Sequence, residues 1–236
     1  MTTSTDPQSI SEALPLCADL AMIQSWRKAQ RQKLRAARMA LTAETLERFH
    51  RRMDRHLELG FPHLAQGIVA FCWPYQSEYD PRQLTERLRA KGAVTVLPVV
   101  LAPKTPLIFR EWHPGVHLAR GVLGIPYPDG GEPMQPDTVL LPMVGFDDAG
   151  YRLGYGGGFF DRTLAALPRR PLVIGVVHEL AHLPTIYPQD WDIPIDYVVT
   201  ERGLYQRQDG ELRFLGEPGI GVAAIASTPC LAGTMP

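Results

Sequence analysis

The run Leu140-Leu-Pro-Met-Val-Gly-Phe-Asp-Asp-Ala-Gly-Tyr-Arg-Leu-Gly-Tyr-Gly-Gly-Gly-Phe-Phe-Asp-Arg162 places glycine at 154, 156, 157 and 158. Its apolar opening residues read as a buried strand, Gly145 through Gly150 as a turn, and Phe159 to Leu167 as a helix. A glycine-rich loop is therefore expected between a strand and a helix N-terminus. There, unpaired amide N–H groups and a partial positive charge favour an anion. Glycines without Cβ let the backbone approach that anion closely, as an amide nest requires. Arg152 and Arg162 add fixed charge on either side, and Asp161 offers the hard oxygen that Mg²⁺ prefers beside phosphate. Glycines alone would equally suit a tight corner, but Arg152 and Asp161 favour a phosphate loop. It is not a familiar one: Phe159 stands where a dinucleotide fingerprint needs glycine, and no Gly-Lys-Ser or Gly-Lys-Thr follows.

Working outward, strands are expected over 67–72, 93–100, 107–112 and 171–177, with Pro98 marking an edge or a bulge. Helices are expected over 22–41, from an N-cap at Thr42 to Gly60, and from Asp80-Pro81 to Gly92. Alternating strands and helices predict a three-layer α/β/α domain with a largely parallel central sheet. Residues 1–20 read as a disordered lead, 21–205 as a single domain and 206–236 as a tail.

With 236 residues, 45% hydrophobic, 21% charged and a formal net charge of −1, the chain has the composition of a globular domain with no global attraction to nucleic acid or membrane. Cys17, Cys72 and Cys230 are odd in number and widely spaced, which argues against a disulfide framework and a zinc knuckle and for a reducing cytoplasm. Neither an apolar span nor a secretory pattern is evident.

Arg27, Arg31, Arg35 and Arg38 fall within about 80° on one face of the first helix. Such a stripe is ordinarily solvated surface, with nucleic-acid contact as a second option. His178-Glu-Leu-Ala-His182 spells the zinc-protease pattern, but a β-branched strand precedes it and Pro184 follows, so no long helix can present both imidazoles. His178 is instead expected at a strand end bordering a cleft. Glu78 lies just past the carboxyl end of a strand, where open α/β sheets place ligands.

The run from Gly150 to Arg162, preceded by Pro142 and Phe146-Asp147, resembles the signature of the 5-formyltetrahydrofolate cyclo-ligase, or methenyltetrahydrofolate synthetase, family. The resemblance covers roughly residues 26–202 and implies a CoA-transferase-like fold. It implies an ATP- and Mg²⁺-dependent, monomeric cytoplasmic enzyme acting on 5-formyltetrahydrofolate, with no nucleic-acid or membrane partner. It further implies Arg27, Arg31, Arg152, Gly154, Tyr155, Gly156, Gly157, Gly158, Phe159 and Phe160 at the nucleotide, with Lys28 replacing Arg27 if the register shifts by one. Phe71, Cys72, Glu78 and Phe159 would meet the folate, Asp161 and Asp192 the metal, and Arg152 and Asp161 the reacting groups. Arg27 stands where relatives carry Lys, Phe159 and Phe160 where they carry Tyr, and Tyr127 where many carry Glu. Tyr127 is therefore given no role by analogy.

Overall fold

The computed structural model describes residues 18–219. Eight strands form one sheet: β1 (Ile68–Ala70), β2 (Val94–Val99), β3 (Ile108–Glu111), β4 (Thr138–Pro142), β5 (Leu172–Val176), β6 (Tyr197–Val199), β7 (Leu204–Gln208) and β8 (Glu211–Gly216). Their spatial order is β8-β7-β6-β5-β4-β1-β2-β3. The five strands from β2 to β6 pair in parallel, and antiparallel strands close both edges. Strand direction of travel reverses between β1 and β4, and the crevice beyond their carboxyl ends is where open α/β sheets take ligands.

Each inner strand is buried on both faces, so its side chains alternate between two cores. Val69, Leu140, Ile174 and Val199 pack with Met53 and Leu57 of α2 (Ala43–Gly60) and with Leu84 and Leu88 of α3 (Arg82–Ala90). Ala70, Val139, Leu141, Val173 and Val198 pack on the opposite face with Leu164 of α4 (Phe159–Ala166). That second layer is completed by a small sheet of Gly145–Asp147, Arg152–Leu153 and His182–Leu183, so part of the expected 145–150 turn is strand. Helix α1 (Leu20–Met39) is capped by Asp19 and lies over this small sheet through Leu34, which packs with Val144, Leu153, Leu183 and Ile186. Among the described residues no helix is long and apolar enough to cross a membrane.

Two features depart from the sequence expectation. Pro98 is neither at an edge nor in a bulge: it pairs with Phe109 on β3, but β1 has already ended opposite Val96, so no parallel ladder bond is lost. The tail expected from residue 206 is wrong in its first part, because β7 and β8 extend the sheet to Gly216. Asp209 and Gly210 turn that hairpin with φ of 52° and 89°, the left-handed pair of a type I′ turn. The lead at 1–17 and the chain beyond 219 lie outside the described residues, as do Cys17 and Cys230.

Candidate active site

A cavity of about 970 Å³ opens at the carboxyl ends of β1 and β4. Its floor includes Cys72 and Pro142, one wall is the glycine loop, and Asp190 to Ile193 form another. The loop enters from Arg152–Leu153 and leaves into α4 with Gly158 as N-cap at φ 62°. Residues 155–157 are exposed, and a Cβ built on Gly154 would meet nothing within 4 Å, so the loop is open to a ligand. Asp147 holds the loop's base: its carboxylate accepts from the N–H groups of Ala149, Tyr151 and, across the chain, Ile186 at 2.8–3.1 Å. Burial lifts this carboxyl above the usual range, opposed by those three donors.

The arginine stripe on α1 faces inward. Arg27 is buried and donates to the carbonyls of Ile186 and Tyr187 at 2.8 Å and to Asp192 at 2.6 Å. Its planar fork thus fastens the 186–192 loop as well as lining the cavity. Lys28 is exposed and does not line the cavity. Arg31 donates through Nε to the carbonyl of Gly154 at 2.7 Å, while its two terminal nitrogens have no protein acceptor among the described residues. Burial first, then the charge of Arg27, lowers its pKa. A cation desolvated beside another cation is stabilised by an arriving anion.

Arg152 donates to Asp161 at 2.5 Å and to the carbonyl of Ile193 at 2.6 Å. Asp161 Oδ1 also accepts from Ile193 N–H, and Asp192 Oδ2 accepts from Gln189 N–H besides Arg27. Each aspartate keeps its other oxygen without a protein donor among the described residues. Among the described residues no group of three or more His, Cys, Asp and Glu converges there. Two carboxylates with one uncommitted oxygen each fit Mg²⁺ shared with substrate phosphates, not an all-protein cage.

At the opposite end, Glu78 is buried and accepts from Tyr75 N–H and the Tyr155 hydroxyl. Burial raises its pKa, and burial followed by the Glu78 charge raises that of Tyr155. Arg38, 4% exposed, binds this pair together: it donates to Tyr155 Oη at 2.9 Å, to Gln76 O at 2.9 Å, and lies 3.7 Å from Glu78. Gln76 and Ser77 both have positive φ, of 49° and 59°, a conformation that these residues rarely adopt. Arg35 adds a second hold on Gln76 at 2.9 Å. Two arginines of α1 therefore keep a strained turn in place, and that turn delivers Glu78.

Of the residues expected at the site, Arg27, Arg31, Cys72, Glu78, Arg152, Asp161, Asp192 and 154–160 line this cavity. Phe71 does not: it is 0% exposed and packs edge-on against Trp112 in the core under α2 and α3. Strand alternation sends Phe71 to one face and Cys72 to the other. Burial, then Glu78, pushes the Cys72 thiol up, so it is a neutral wall and not a nucleophile. Trp73, Tyr127 and Trp191 also line the cavity, unassigned by the sequence.

His178 does not border the cleft. It is 1% exposed, stacked on His50 at 5.8 Å and tilted against Phe49, with both ring nitrogens unpartnered among the described residues. His182 instead stacks on Phe146 and bonds Asp148. His178 is the extended residue before a short 3₁₀ turn and His182 opens a strand, so the metalloprotease reading fails on geometry. Burial, then the charges of His50 and Arg38, pushes the His178 pKa down to about 3. Because the unfolded imidazole takes a proton near pH 6.5, the stability present above that pH is lost as pH falls toward the folded value. His178→Phe is expected to remove about 2 kcal/mol of the stability decline between pH 7 and 5, read by urea unfolding at each pH. An identical decline in wild type and variant would mean that another group drives it.

A model of the 5-formyltetrahydrofolate cyclo-ligase family matches residues 23–201. The chain belongs to this family. Among cyclo-ligase relatives, the Escherichia coli 5-formyltetrahydrofolate cyclo-ligase is 30% identical over 181 residues, covering 73% of this chain and 99% of its own. The enzyme of that name from Haemophilus influenzae is 28% identical over 174 residues, covering 70% and 92%. The solved structure of Aquifex aeolicus 5,10-methenyltetrahydrofolate synthetase superposes with a TM-score of 0.67 at 27% identity, over 83% of this chain and 99% of that one. A Mycoplasma pneumoniae 5,10-methenyltetrahydrofolate synthetase shares the fold, with a TM-score of 0.61 at 23% identity over 74% and 98%. The mixed α/β fold with its mostly parallel sheet and the ligase assignment stand on this ground.

Proposed function

We propose that this cyclo-ligase converts 5-formyltetrahydrofolate to 5,10-methenyltetrahydrofolate with ATP and Mg²⁺, releasing ADP and phosphate. The observation that carries the reading is one cavity that brings together an open glycine loop, the part-committed cation Arg31 and a buried carboxylate, Glu78, bonded to that loop through Tyr155. A formamide oxygen is a poor leaving group, so it needs activation. The γ-phosphoryl group moves from ATP to the formyl oxygen, ADP leaves, N10 attacks the activated carbon and gives its proton to solvent, and phosphate departs with the former formyl oxygen.

Catalysis of this kind rests on positioning and charge stabilisation. The amides of 154–158 and Arg31 receive the phosphates; Arg152 lines the same cavity and fixes the Asp161 carboxylate. Glu78 reads the donor edge of the pterin, and Phe159 covers its face. Asp161 and Asp192 would hold Mg²⁺, which supplies charge neutralisation on the phosphates when bound.

Purified protein mixed with 5-formyltetrahydrofolate and Mg-ATP is expected to yield ADP and the coloured methenyl product in equal amounts. ADP without the chromophore would redirect the reading to another formamide or pterin-like acceptor.

A further inference from the structure

We propose that Arg38, which lies behind the cavity wall and not in its lining, is a positioning residue that holds Glu78 as a carboxylate ready for the folate. The inference rests on the reading of Glu78 as a folate contact and adds the residue that sets its charge. The Arg38 and Glu78 side chains are each 5% exposed, and Nη1 approaches Oε1 to 3.7 Å. An isolated carboxylate at that depth takes up a proton, because burial penalises the charged form. Burial does push the Glu78 carboxyl up, and the Tyr155 hydroxyl, Arg38, the Tyr75 N–H and Arg35 oppose it in that order. The charge matters to the ligand. A carboxylate offers acceptors on both oxygens to the N–H groups of a pterin, whereas protonation turns one of them into a donor.

Among the described residues Glu78 is the one carboxylate within 4 Å of the Arg38 nitrogens. The remaining acceptors of Arg38 are neutral: the carbonyls of Tyr75, Gln76 and Met143 and the Tyr155 hydroxyl, at 2.9–3.4 Å. Its charge is therefore not shared with a second acid. Tyr155 depends on it as well, because an Arg38 N–H occupies Oη and leaves the phenol hydrogen to point at Glu78. Removing Arg38 thus withdraws a cation and disorients the hydroxyl donor together. Arg35, from the same helix, is engaged with the Gln76 side chain at 2.9 Å and is the other cation near Glu78. The remaining titratable neighbours carry no charge near pH 7: the Cys72 thiol is pushed up by burial, and His178, behind Arg38 and stacked on His50, is pushed down to about 3, with His50 also lowered by burial.

Carbon-13 resonances of the glutamate carboxyls in the full chain, with Glu78→Gln to assign the signal, test the idea without substrate. In the wild type Glu78 is expected to be ionised at pH 7. In Arg38→Met it should titrate at least about one pH unit higher, and Arg38→Lys, which keeps the charge and loses the planar fork, should restore most of the difference. Binding of 5-formyltetrahydrofolate should follow the same group. Relative to wild type, the affinity of Arg38→Met should fall about tenfold or more between about pH 8.5 and 6, and that of Arg38→Lys should not. A loss of affinity that is uniform across pH, with or without a shifted Glu78 signal, overturns the proposal by making Arg38 scaffold alone. A wild-type Glu78 that is already protonated at pH 7 also overturns it, and that result needs no variant to fold. If the wild type neither binds nor turns over 5-formyltetrahydrofolate, the functional reading falls, and the carboxyl titration still decides whether Arg38 sets the charge of Glu78.

Discussion

Asp161→Asn is expected to lower the turnover number by about 10²- to 10³-fold, the scale for removing one preorganised charge from a reacting phosphoryl group's surroundings. The substitution keeps size and shape but removes the charge that Arg152 and Ile193 N–H hold in position. The neutral amide also leaves the buried Arg152 without its ion pair. Asp161 opens α4, so losing its charge costs about 1 kcal/mol at the helix N-terminus, added to about 3 kcal/mol for leaving Arg152 unpaired. The measurement is kcat against Mg²⁺ concentration, with far-UV circular dichroism as the control for folding. Activity within a few-fold of wild type at all Mg²⁺ concentrations would remove Asp161 from the reacting site.

Gly203→Ala is expected to cost about 3 kcal/mol or more, through backbone strain and overpacking together. Gly203 turns β6 into β7 at φ 153°, and a Cβ there would lie 2.4 Å from the carbonyl oxygen of Gly216, a backbone atom that no rotamer change can move. For a chain of this size that corresponds to a fall in Tm of about 6–12 °C. Gly203 follows the carboxyl end of β6, at the end of the sheet where the cavity opens, but it is not one of the cavity's lining residues, so KM values of the folded protein should hold. A Tm within about 2 °C of wild type would show that the hairpin relaxes freely.

This hairpin is also where the sequence was least legible. Gln206-Arg-Gln-Asp-Gly-Glu-Leu-Arg213 looks like solvated tail because an edge ribbon needs few apolar residues, yet Asp209-Gly210 was the available turn signal. The glycine loop was legible for the opposite reason: four glycines between a strand and a helix have a backbone meaning that survives without contacts. Strand positions were readable and facing was not, since Phe71 and Cys72 differ only in which side of the sheet each takes. The arginine stripe misled because sequence gives a helix face but not what covers it. Glu78 could be placed near the ligand, whereas the left-handed Gln76-Ser77 turn that aims it depends on Arg35 and Arg38, distant in the chain.

Arg38 touches both halves of the cavity: Tyr155 belongs to the glycine loop, Glu78 to the facing wall, and one guanidinium holds the two. A ligand that shifts the loop therefore acts on the carboxylate through a shared ion, and the two occupancies draw on a common interaction free energy. Whatever factor nucleotide imposes on the affinity for the one-carbon carrier, reciprocity requires the carrier to impose on nucleotide.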